Sequence, residues 1–341
     1  MATRSPASEG LCVAIVGASG AAGGDIAAAM ARSPLPITAW RLYGSRGGPG
    51  GELELGGRTV PVVPLDEDAV SQGGFEGCDL VVLATPTAVS RALAPALAEE
   101  GTAVIDVGAH VLDKGVPCLP LSGVGDWARF ADLRIASVPG GASAMLAALL
   151  VPLSHLGLSA ARGTVLLSAG TAGRAGPEEL SRQVIAMFNQ SEPPRRLFPH
   201  GLAFDLNPTV GELESGWSDA ERRLRLDLAA ALHPRRAVVA LSAVEVPLFA
   251  GVAANLHLTF AEPVSAATVG AALATLPMVT VSERPPGPRR LVGTTGIQVG
   301  RLRDDPGGQG VHLWASADNL RMGASANVVA TALHLWREGL L

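Results

Sequence analysis

Short apolar runs alternate with alanine-rich, helix-like stretches over the first part of the chain. Leu11–Val16 (LCVAIV) is continuously apolar, which is typical of a strand that is covered on both faces. The same pattern predicts further strands at 39–43, 79–84, 103–107 and 133–137, and helices at 25–32, 89–99 and 142–155. Strands and helices that alternate at these lengths predict an α/β fold built on a doubly wound parallel sheet of the Rossmann type.

The pattern changes near residue 163. The predicted strands become longer, carry β-branched residues and alternate in part, at 164–168, 237–246, 254–260 and 309–317. Helices are predicted between them at 177–189, 219–232 and 266–276. This order predicts a second, α+β domain that contains a mixed sheet with helices on one face. A final amphipathic helix at 323–338 is expected to return to the first domain.

A glycine-rich turn joins the first predicted strand to the first predicted helix. Its glycines, Gly17, Gly20 and Gly23, have the spacing GxxGxxG. Such a turn lets the backbone approach a pyrophosphate, and the helix that follows offers unpaired N–H groups and a favourable dipole. We therefore predict a dinucleotide site that includes the other residues of the turn, Ser19, Ala21 and Ala22. The alternative is a glycine turn that serves only the tight packing of helix on sheet.

The position of this turn suggests how the chain divides. At 341 residues the chain is long enough for two cores. We expect a dinucleotide-binding domain at 1–140, completed by a C-terminal helix at 320–341, and a substrate and dimerisation domain at 141–319.

The end of the second predicted strand bears on the choice of cofactor. NAD-binding units usually place an acidic residue there to bind the ribose 2′-hydroxyl. This chain has Ser45 and Arg46 in that place and no carboxylate before Glu52. A serine and an arginine suit a 2′-phosphate, which favours NADP. A solvated surface arginine beside a flexible glycine loop is the alternative, and it leaves NAD open.

Charge and composition exclude several classes of function. The formal net charge is −5 and no basic run exceeds a pair, which argues against a nucleic-acid partner. No apolar run reaches the roughly 18 residues of a membrane span, and residues 1–10 lack the apolar core of a signal peptide. Three scattered cysteines are typical of a reducing compartment, so we expect a cytoplasmic protein without membrane contact. The seven histidines are dispersed without HxxxH or HxH spacing, so we predict no metal site.

Seven segments along the chain carry a family resemblance. They are VAIVGASGAAG, AVSRALAPALAEEGTAVID, GRAGPEEL, FPHGLAF, VEVPLFAG, VGRLR and ADNLRMGASAN. In this order and at this spacing they resemble the aspartate-semialdehyde dehydrogenase family nearly end to end. The resemblance implies NADP as cofactor, with further contacts at Ala84 and Asn319, and a homodimer joined through the sheet of the second domain. Apolar alternating strands such as AVVALSAVEV, which need covering, favour the same dimer.

The resemblance also implies a reaction, the reversible NADP-dependent reductive dephosphorylation of aspartyl phosphate. That reaction needs a thiolate that forms a thioester, a histidine as acid and base, and arginines that hold carboxylate and phosphate. The nucleophile position of the family falls here on Gly141, and the acid/base position falls on Val252. The glutamine position falls on Leu167, and the substrate arginine position falls on Glu245, which reverses the charge that a carboxylate substrate needs. We therefore predict no catalytic residue at the family positions.

Smaller substrate contacts of the family are altered as well. The phosphate-binding arginine position falls near Leu112, and Ala250 stands where an arginine precedes the family histidine. A basic residue remains as Arg223, whereas the acidic position is Ala220, with Glu221 adjacent.

No other residue is predicted to replace the missing groups. Cys118 lies on a different segment and is expected to be a small buried hydrophobe. Ser143, near a helix start, is better explained as a serine that satisfies its own turn than as a nucleophile. Neither His200 nor His257 has a partner visible in the sequence, and His257 alternates with apolar residues as on a strand surface or an interface.

Three functions stay open on this basis. The first is a divergent, catalytically impaired paralogue from amino-acid biosynthesis that keeps a binding or regulatory role toward a small molecule or protein. The second is an active NADP-dependent oxidoreductase on a different, less charged aldehyde or ketone. The third is a structural partner of a true dehydrogenase subunit, in which the glycine turn is vestigial.

Overall fold

A computed structural model describes residues 10–45, 51–66, 70, 72–235 and 237–341. The chain forms two compact units. The first contains the described residues up to Pro139 together with Ala324–Leu341, and the second is Gly140–Gly323. Among the described residues, none of the helices has both the length and the apolar character that crossing a bilayer requires.

The first unit is built on an eight-stranded sheet. Its strands are β1 Leu11–Val16, β2 Ile37–Gly44, β3 Gly51–Leu55, β4 Arg58–Pro64, β5 Leu80–Leu83, β6 Ala103–Val107, β7 Val116–Pro117 and β8 Ile135–Val138. Its helices from this part of the chain are α1 Ala21–Ala31, α2 Thr87–Glu99 and α3 Trp127–Leu133. The strand order is β3-β4-β2-β1-β5-β6-β8-β7, and every pair except β3–β4 is parallel. The predicted doubly wound parallel sheet is confirmed.

Burial on both faces explains why β1 is a continuous apolar run. Successive side chains of a strand point to opposite faces. Val13 and Ile15 pack into one hydrophobic cluster, whereas Ala14 and Val16 pack into another on the opposite face. A strand with a core on each side therefore has no place for a polar residue.

The second unit contains a six-stranded mixed sheet. The strands of the whole unit are β9 Leu158–Ser168, β10 Leu213–Glu214, β11 Trp217–Ser218, β12 Val238–Val246, β13 Val252–Phe260, β14 Val279–Ser282, β15 Ile297–Asp304 and β16 Gly310–Ala317. Its helices are α4 Gly141–Leu153, α5 Ala175–Phe188, α6 Asp219–Ala231 and α7 Ala266–Ala274. The order is β12-β9-β13-β16-β15-β14, parallel at the two outer pairs and antiparallel between them, while β10 and β11 form a separate ribbon. This confirms the predicted mixed sheet.

The six-stranded sheet has an inner and an open face. On β13, Leu256 and Leu258 are fully buried, whereas Asn255 is exposed and His257 half-buried. Helices α4, α6 and α7 contact the sheet, and the buried set lies on their side. We call the side that carries Asn255 and His257 the open face.

The last helix, α8 Ala326–Arg337, packs its apolar side into the core of the first unit through residues such as Val328 and Leu335. It begins three residues later than the sequence predicted, because a π-helical turn occupies Arg321–Ser325.

Several elements differ from the sequence-based expectation. The hairpin β3–β4 was not predicted, and it turns at Gly56 and Gly57, which both have positive φ. Strand β9 begins six residues earlier than predicted, since Arg162 and Gly163 interrupt its apolar pattern. The strand AVVALSAVEV, which was expected to need covering, is covered on one face within this chain, because Leu241 and Ala243 are buried next to α6.

Candidate functional site

Glycine is required in the turn that follows β1. Gly17 has a φ of +88°, and a Cβ there would lie 2.1 Å from the carbonyl oxygen of Ala84. A Cβ at Gly23 would lie 2.2 Å from the carbonyl oxygen of Gly17. Gly20 is the N-cap of α1 and provides no side chain to cap the helix, so Ala21 and Ala22 begin the helix with backbone N–H groups available to a ligand.

A cleft of about 360 Å³ opens beside this turn. It lies at the carboxyl ends of parallel strands, where open α/β sheets bind ligands. Gly17, Ser19 and Gly20 line it together with Ser45 from the end of β2 and Ala84 from the end of β5. Five of the predicted cofactor residues therefore meet in one cleft.

Gly23, Arg46 and Asn319 were also predicted to contact the cofactor. Gly23 lies inside α1, where its lack of a side chain allows the helix to approach Gly17. Arg46 lies outside the described residues. Asn319 belongs to the second unit, where its Oδ1 accepts a hydrogen bond of 2.7 Å from the backbone N–H of Gly251.

The cleft contains no acidic side chain among the described residues that line it. Glu52, the first carboxylate after β2, is exposed on β3. A ribose 2′-hydroxyl would therefore find no carboxylate among these lining residues, and Ser45 is the polar side chain at the end of β2.

Three positions of interest in the second unit form one row across its sheet. Glu245 on β12 lies opposite Leu167 on β9, and Leu167 lies opposite Val252 on β13. Residues directly opposite on neighbouring strands share a face, and all three are buried. The strand register thus brings these dispersed residues together.

The fourth position, Gly141, begins α4 and has no space for a side chain. A Cβ on Gly141 would lie 2.1 Å from the backbone oxygen of Asn319. A Cβ on Gly323 would lie 2.0 Å from the Cα of Gly141. The start of α4 therefore packs backbone against backbone. Asn319 also holds Gly251, the residue before Val252, which links this position to the row.

Glu245 carries a buried carboxyl group that receives one long side-chain hydrogen bond. Its backbone pairs with Asn207 through two hydrogen bonds of 2.9 Å, and the side-chain amide of Asn207 donates a long hydrogen bond of 3.4 Å to Oε2. Burial raises the pKa of Glu245, and the Asn207 hydrogen bond opposes that effect only in part. Within the described residues, no salt bridge to Glu245 is present.

Residues 12–121 match the family described as semialdehyde dehydrogenase, NAD binding domain, and residues 150–322 match semialdehyde dehydrogenase, dimerisation domain. The chain belongs to the semialdehyde dehydrogenase family. The nucleotide cleft lies within the NAD binding domain of this family, and the row of Glu245, Leu167 and Val252 lies within its dimerisation domain.

Relatives match the chain over nearly its whole length. It is 27% identical to an aspartate-semialdehyde dehydrogenase of Aquifex aeolicus, over 97% of this chain and 100% of the relative. It is 30% identical to a USG-1 protein homolog of Pseudomonas aeruginosa, over 94% and 96%. The structure of aspartate semialdehyde dehydrogenase II complexed with ASA from Vibrio cholerae superposes with a TM-score of 0.89 at 26% identity, covering 97% of this chain and 99% of the other.

Ser143 and Arg223 belong to a buried polar network of this semialdehyde dehydrogenase homologue. The hydroxyl of Ser143 donates a hydrogen bond of 2.7 Å to Asp227 Oδ2, and the guanidinium of Arg223 lies 2.9 Å from Asp227 Oδ1. The prediction that Ser143 satisfies its own turn is therefore wrong, because its hydroxyl joins α4 to α6. Glu221 is similarly engaged, since it forms a capping box with Ser218 at the start of α6.

The cysteines all belong to the first unit. Cys12, Cys78 and Cys118 all precede residue 140. Cys118 is fully buried, as predicted, and burial raises its pKa to about 12. Leu112, near the expected phosphate-arginine position, lies in the first unit and is half-buried.

The two histidines that were considered from the sequence have different settings. His200 is exposed on a loop whose backbone N–H groups bond to Glu179 and Gln183 of α5. His257 lies on the open face beside Asp305 and His312. The dispersed spacing of histidines in the sequence gave no sign of this group, because its members lie on β13, on β16 and in the turn between β15 and β16.

Proposed function

We propose that this semialdehyde dehydrogenase homologue binds NADP but does not carry out the thioester reaction implied by its resemblance to aspartate-semialdehyde dehydrogenases, and that it has a binding or regulatory role. The observation that carries the proposal is the backbone contact at Gly141. A nucleophilic side chain at the start of α4 would overlap the main chain of Asn319, and Gly140–Gly323 contains no cysteine.

The row across the sheet supports the same conclusion. Leu167 and Val252 are apolar and buried, so neither moves a proton. Glu245 brings a carboxyl group to a place where a carboxylate substrate needs a cation. Its raised pKa reflects burial, and a second carboxylate beside it adds like-charge repulsion.

The nucleotide cleft supports retained cofactor binding. The turn with Gly17, Ser19 and Gly20 presents backbone N–H groups and the start of α1 to a pyrophosphate. The described residues that line the cleft do not include the carboxylate that NAD-binding units use, which favours NADP. Bound NADP would supply hydride chemistry, and the residues of this chain would hold and orient it.

The activity test uses aspartate semialdehyde, phosphate and NADP, with NADPH formation followed by absorbance. We expect no turnover above background, in contrast to the Aquifex aeolicus relative assayed beside it as a positive control. Formation of NADPH at an ordinary enzymatic rate, about 10 s⁻¹, would overturn the proposal.

Cofactor binding is tested separately by thermal unfolding with NADP and with NAD. A ligand at 100 times its Kd adds about 2.7 kcal/mol to the free energy of unfolding, which such an assay detects easily. We expect stabilisation by NADP. If neither dinucleotide changes the unfolding temperature, the structural-partner hypothesis replaces ours.

One variant examines the choice between the two dinucleotides. Ser45→Asp places a carboxylate at the end of β2, where it repels a 2′-phosphate and can accept from a 2′-hydroxyl. We expect the stabilisation by NADP to fall and that by NAD to persist or rise, while Ser45→Thr changes neither. If NADP stabilises both variants equally, Ser45 is not part of the cofactor site.

A second candidate function rests on Glu245. A carboxyl group whose pKa is raised by burial can donate a proton, and here it lies beside the apolar Leu167, with the apolar Val252 on the next strand. This arrangement favours an NADP-dependent oxidoreductase on a less charged aldehyde or ketone. Screening aldehydes and ketones for NADPH consumption tests it. Activity that is lost in Glu245→Gln would favour this candidate, and a flat result across both classes would eliminate it.

A further inference from the structure

Two histidines and one aspartate meet on the open face of the six-stranded sheet. His257 on β13 lies directly opposite His312 on β16, with ring centroids 4.5 Å apart and an interplanar angle of 30°. Asp305 follows the end of β15, in the turn that leads to β16. Its Oδ1 lies 3.0 Å from Nε2 of His312 and 3.7 Å from Nε2 of His257.

The three side chains each present one ligand atom to the same small volume. All three atoms lie within 4.8 Å of one another. Around a tetrahedral Zn²⁺ with bonds of 2.0–2.1 Å, neighbouring ligand atoms are about 3.3 Å apart. The two distances to Asp305 bracket that value, so an ion would need only small side-chain movements.

One histidine nitrogen in the group is buried without a hydrogen bond from the described residues. Nε2 of His257 is buried, and within the described part of the chain no hydrogen bond to it is present. His312 already uses its Nε2 for the short contact to Asp305. Gly310 lets this nitrogen approach the backbone of β16 closely, because a Cβ there would lie 2.6 Å from it. The hydrogen bond between His312 and Asp305 does not by itself explain why the His257 imidazole lies beside them.

We propose that His257, Asp305 and His312 form a binding site for a borderline divalent cation of the Zn²⁺ type on the dimerisation domain. Two neutral imidazoles and one carboxylate are a ligand set that such ions prefer, and three protein ligands leave a coordination position for water. The site shares no residue with the nucleotide cleft or with the row at Glu245.

The charges around the site affect which cation it takes. Arg162 lies opposite His257 on β9, and Arg303 lies opposite His312 on β15, so two cationic side chains flank the group. Binding therefore depends on bonds to the imidazole nitrogens more than on net charge. Mg²⁺ and Ca²⁺, which prefer oxygen ligands, are excluded by this arrangement.

The test titrates Zn²⁺ into full-length, tag-free protein that has been stripped with a chelator, with heat as the readout. We expect one ion per chain, and at least about tenfold weaker binding in His257→Gln and in His312→Gln. His155→Gln, an exposed histidine elsewhere on the same unit, is the matched control and should bind as the parent does. Arg162→Gln should tighten binding, because it removes a repelling charge.

Two outcomes would overturn the proposal. One is the absence of saturable Zn²⁺ binding to the parent protein, and the other is unchanged binding in both histidine variants. Co²⁺ provides a readout that does not depend on any variant being folded, since its visible absorption reports nitrogen and oxygen ligands directly. A Co²⁺ spectrum identical to that of the free aqua ion would count against the site as strongly.

Discussion

At the scale of single residues, the start of α4 is defined by two residues without side chains. Gly140 and Gly141 are neighbours, but only Gly141 touches the backbone of Asn319, whereas nothing lies within 4 Å of a Cβ built on Gly140. The two glycines therefore differ in the space around them and not in their sequence context, which makes them a matched pair.

Gly141→Ala is expected to destabilise the protein, since its new methyl group must displace main-chain atoms. The expected loss is about 2–3 kcal/mol in the free energy of unfolding. Gly140→Ala should change that value by no more than about 0.5 kcal/mol, because its φ of −67° suits alanine. Urea denaturation of the two variants makes the comparison. Equal stability of the two would mean that the start of α4 has room for a side chain after all.

Glu245 predicts a pH dependence of stability. Burial raises its pKa in the folded protein, so the folded state holds the proton more tightly than the unfolded chain does. The group therefore favours folding below its unfolded pKa, and this contribution is lost as pH rises through the folded pKa. Glu245→Gln should raise the unfolding temperature at pH 7, and the gain should shrink toward pH 4.

The control for that prediction is Glu192→Gln, which removes the same charge from an exposed position. A gain that stays constant from pH 7 to pH 4, or one that the Glu192 variant reproduces, would show that ionisation of Glu245 does not cause it.

At the scale of elements, uniform burial decided which parts of the fold were predictable. β1, β5 and β6 are buried along nearly their whole length, so their apolar runs gave bounds close to the observed ones. The hairpin β3–β4 lies at the sheet edge, mixes charged residues with prolines and was missed. Strands β14 and β15 were missed because Pro and Gly residues surround their short apolar cores.

The candidate sites divide in a similar way. The turn at Gly17–Gly23 was found because its signal is local, between one strand and one helix. The row at Glu245, Leu167 and Val252 came from family resemblance, since nothing in composition links three residues on different strands. The group around His257 depends on the register of β13 with β16, which a single sequence does not reveal.

Helix α5 has a structural role that explains two of the family-like segments. The carboxylate of Glu179 accepts hydrogen bonds of 3.0–3.1 Å from the backbone N–H groups of Arg196, Leu197 and Phe198. Gln183 accepts from two further N–H groups in the same loop, those of Leu202 and Ala203. Glu179 of GRAGPEEL therefore accepts from Phe198 of FPHGLAF, and the rest of FPHGLAF is held by Gln183, which follows GRAGPEEL on the same helix.

Glu179→Gln tests this role, because an amide NH₂ would face donor groups and the charge would be lost. We expect a loss of about 2 kcal/mol in the free energy of unfolding and faster amide exchange at residues 196–198. Its neighbour Glu178 is the control, since its carboxylate is exposed and forms an ion pair of 3.7 Å with Arg182. Glu178→Gln should cost no more than about 0.5 kcal/mol. Similar exchange rates in the two variants would contradict the assignment.

At the scale of the whole molecule, a dimer needs an exposed surface on the dimerisation domain. The strand AVVALSAVEV offers less apolar surface for a dimer than its sequence indicated, because its inner face is covered within the chain. Large apolar side chains are exposed elsewhere on the second unit. They include Phe188 at the end of α5 and Phe204 in the loop that α5 holds, 75% and 67% exposed, with ring centroids 6.0 Å apart.

Two apolar rings that are exposed side by side favour burial against a partner surface. Because this part of the chain matches a dimerisation domain, we infer that the partner is a second copy of the chain. We expect a dimer in sedimentation velocity at micromolar concentration and a shift toward monomer in Phe188→Lys. Lysine suits the carboxyl end of a helix, so the variant should keep α5 intact. Val63→Lys, which changes an exposed apolar residue on β4 of the first unit, should remain dimeric. If the parent protein is a monomer, the prediction of a dimer is wrong. If Phe188→Lys stays dimeric, the interface lies away from these rings, on the open face of the sheet.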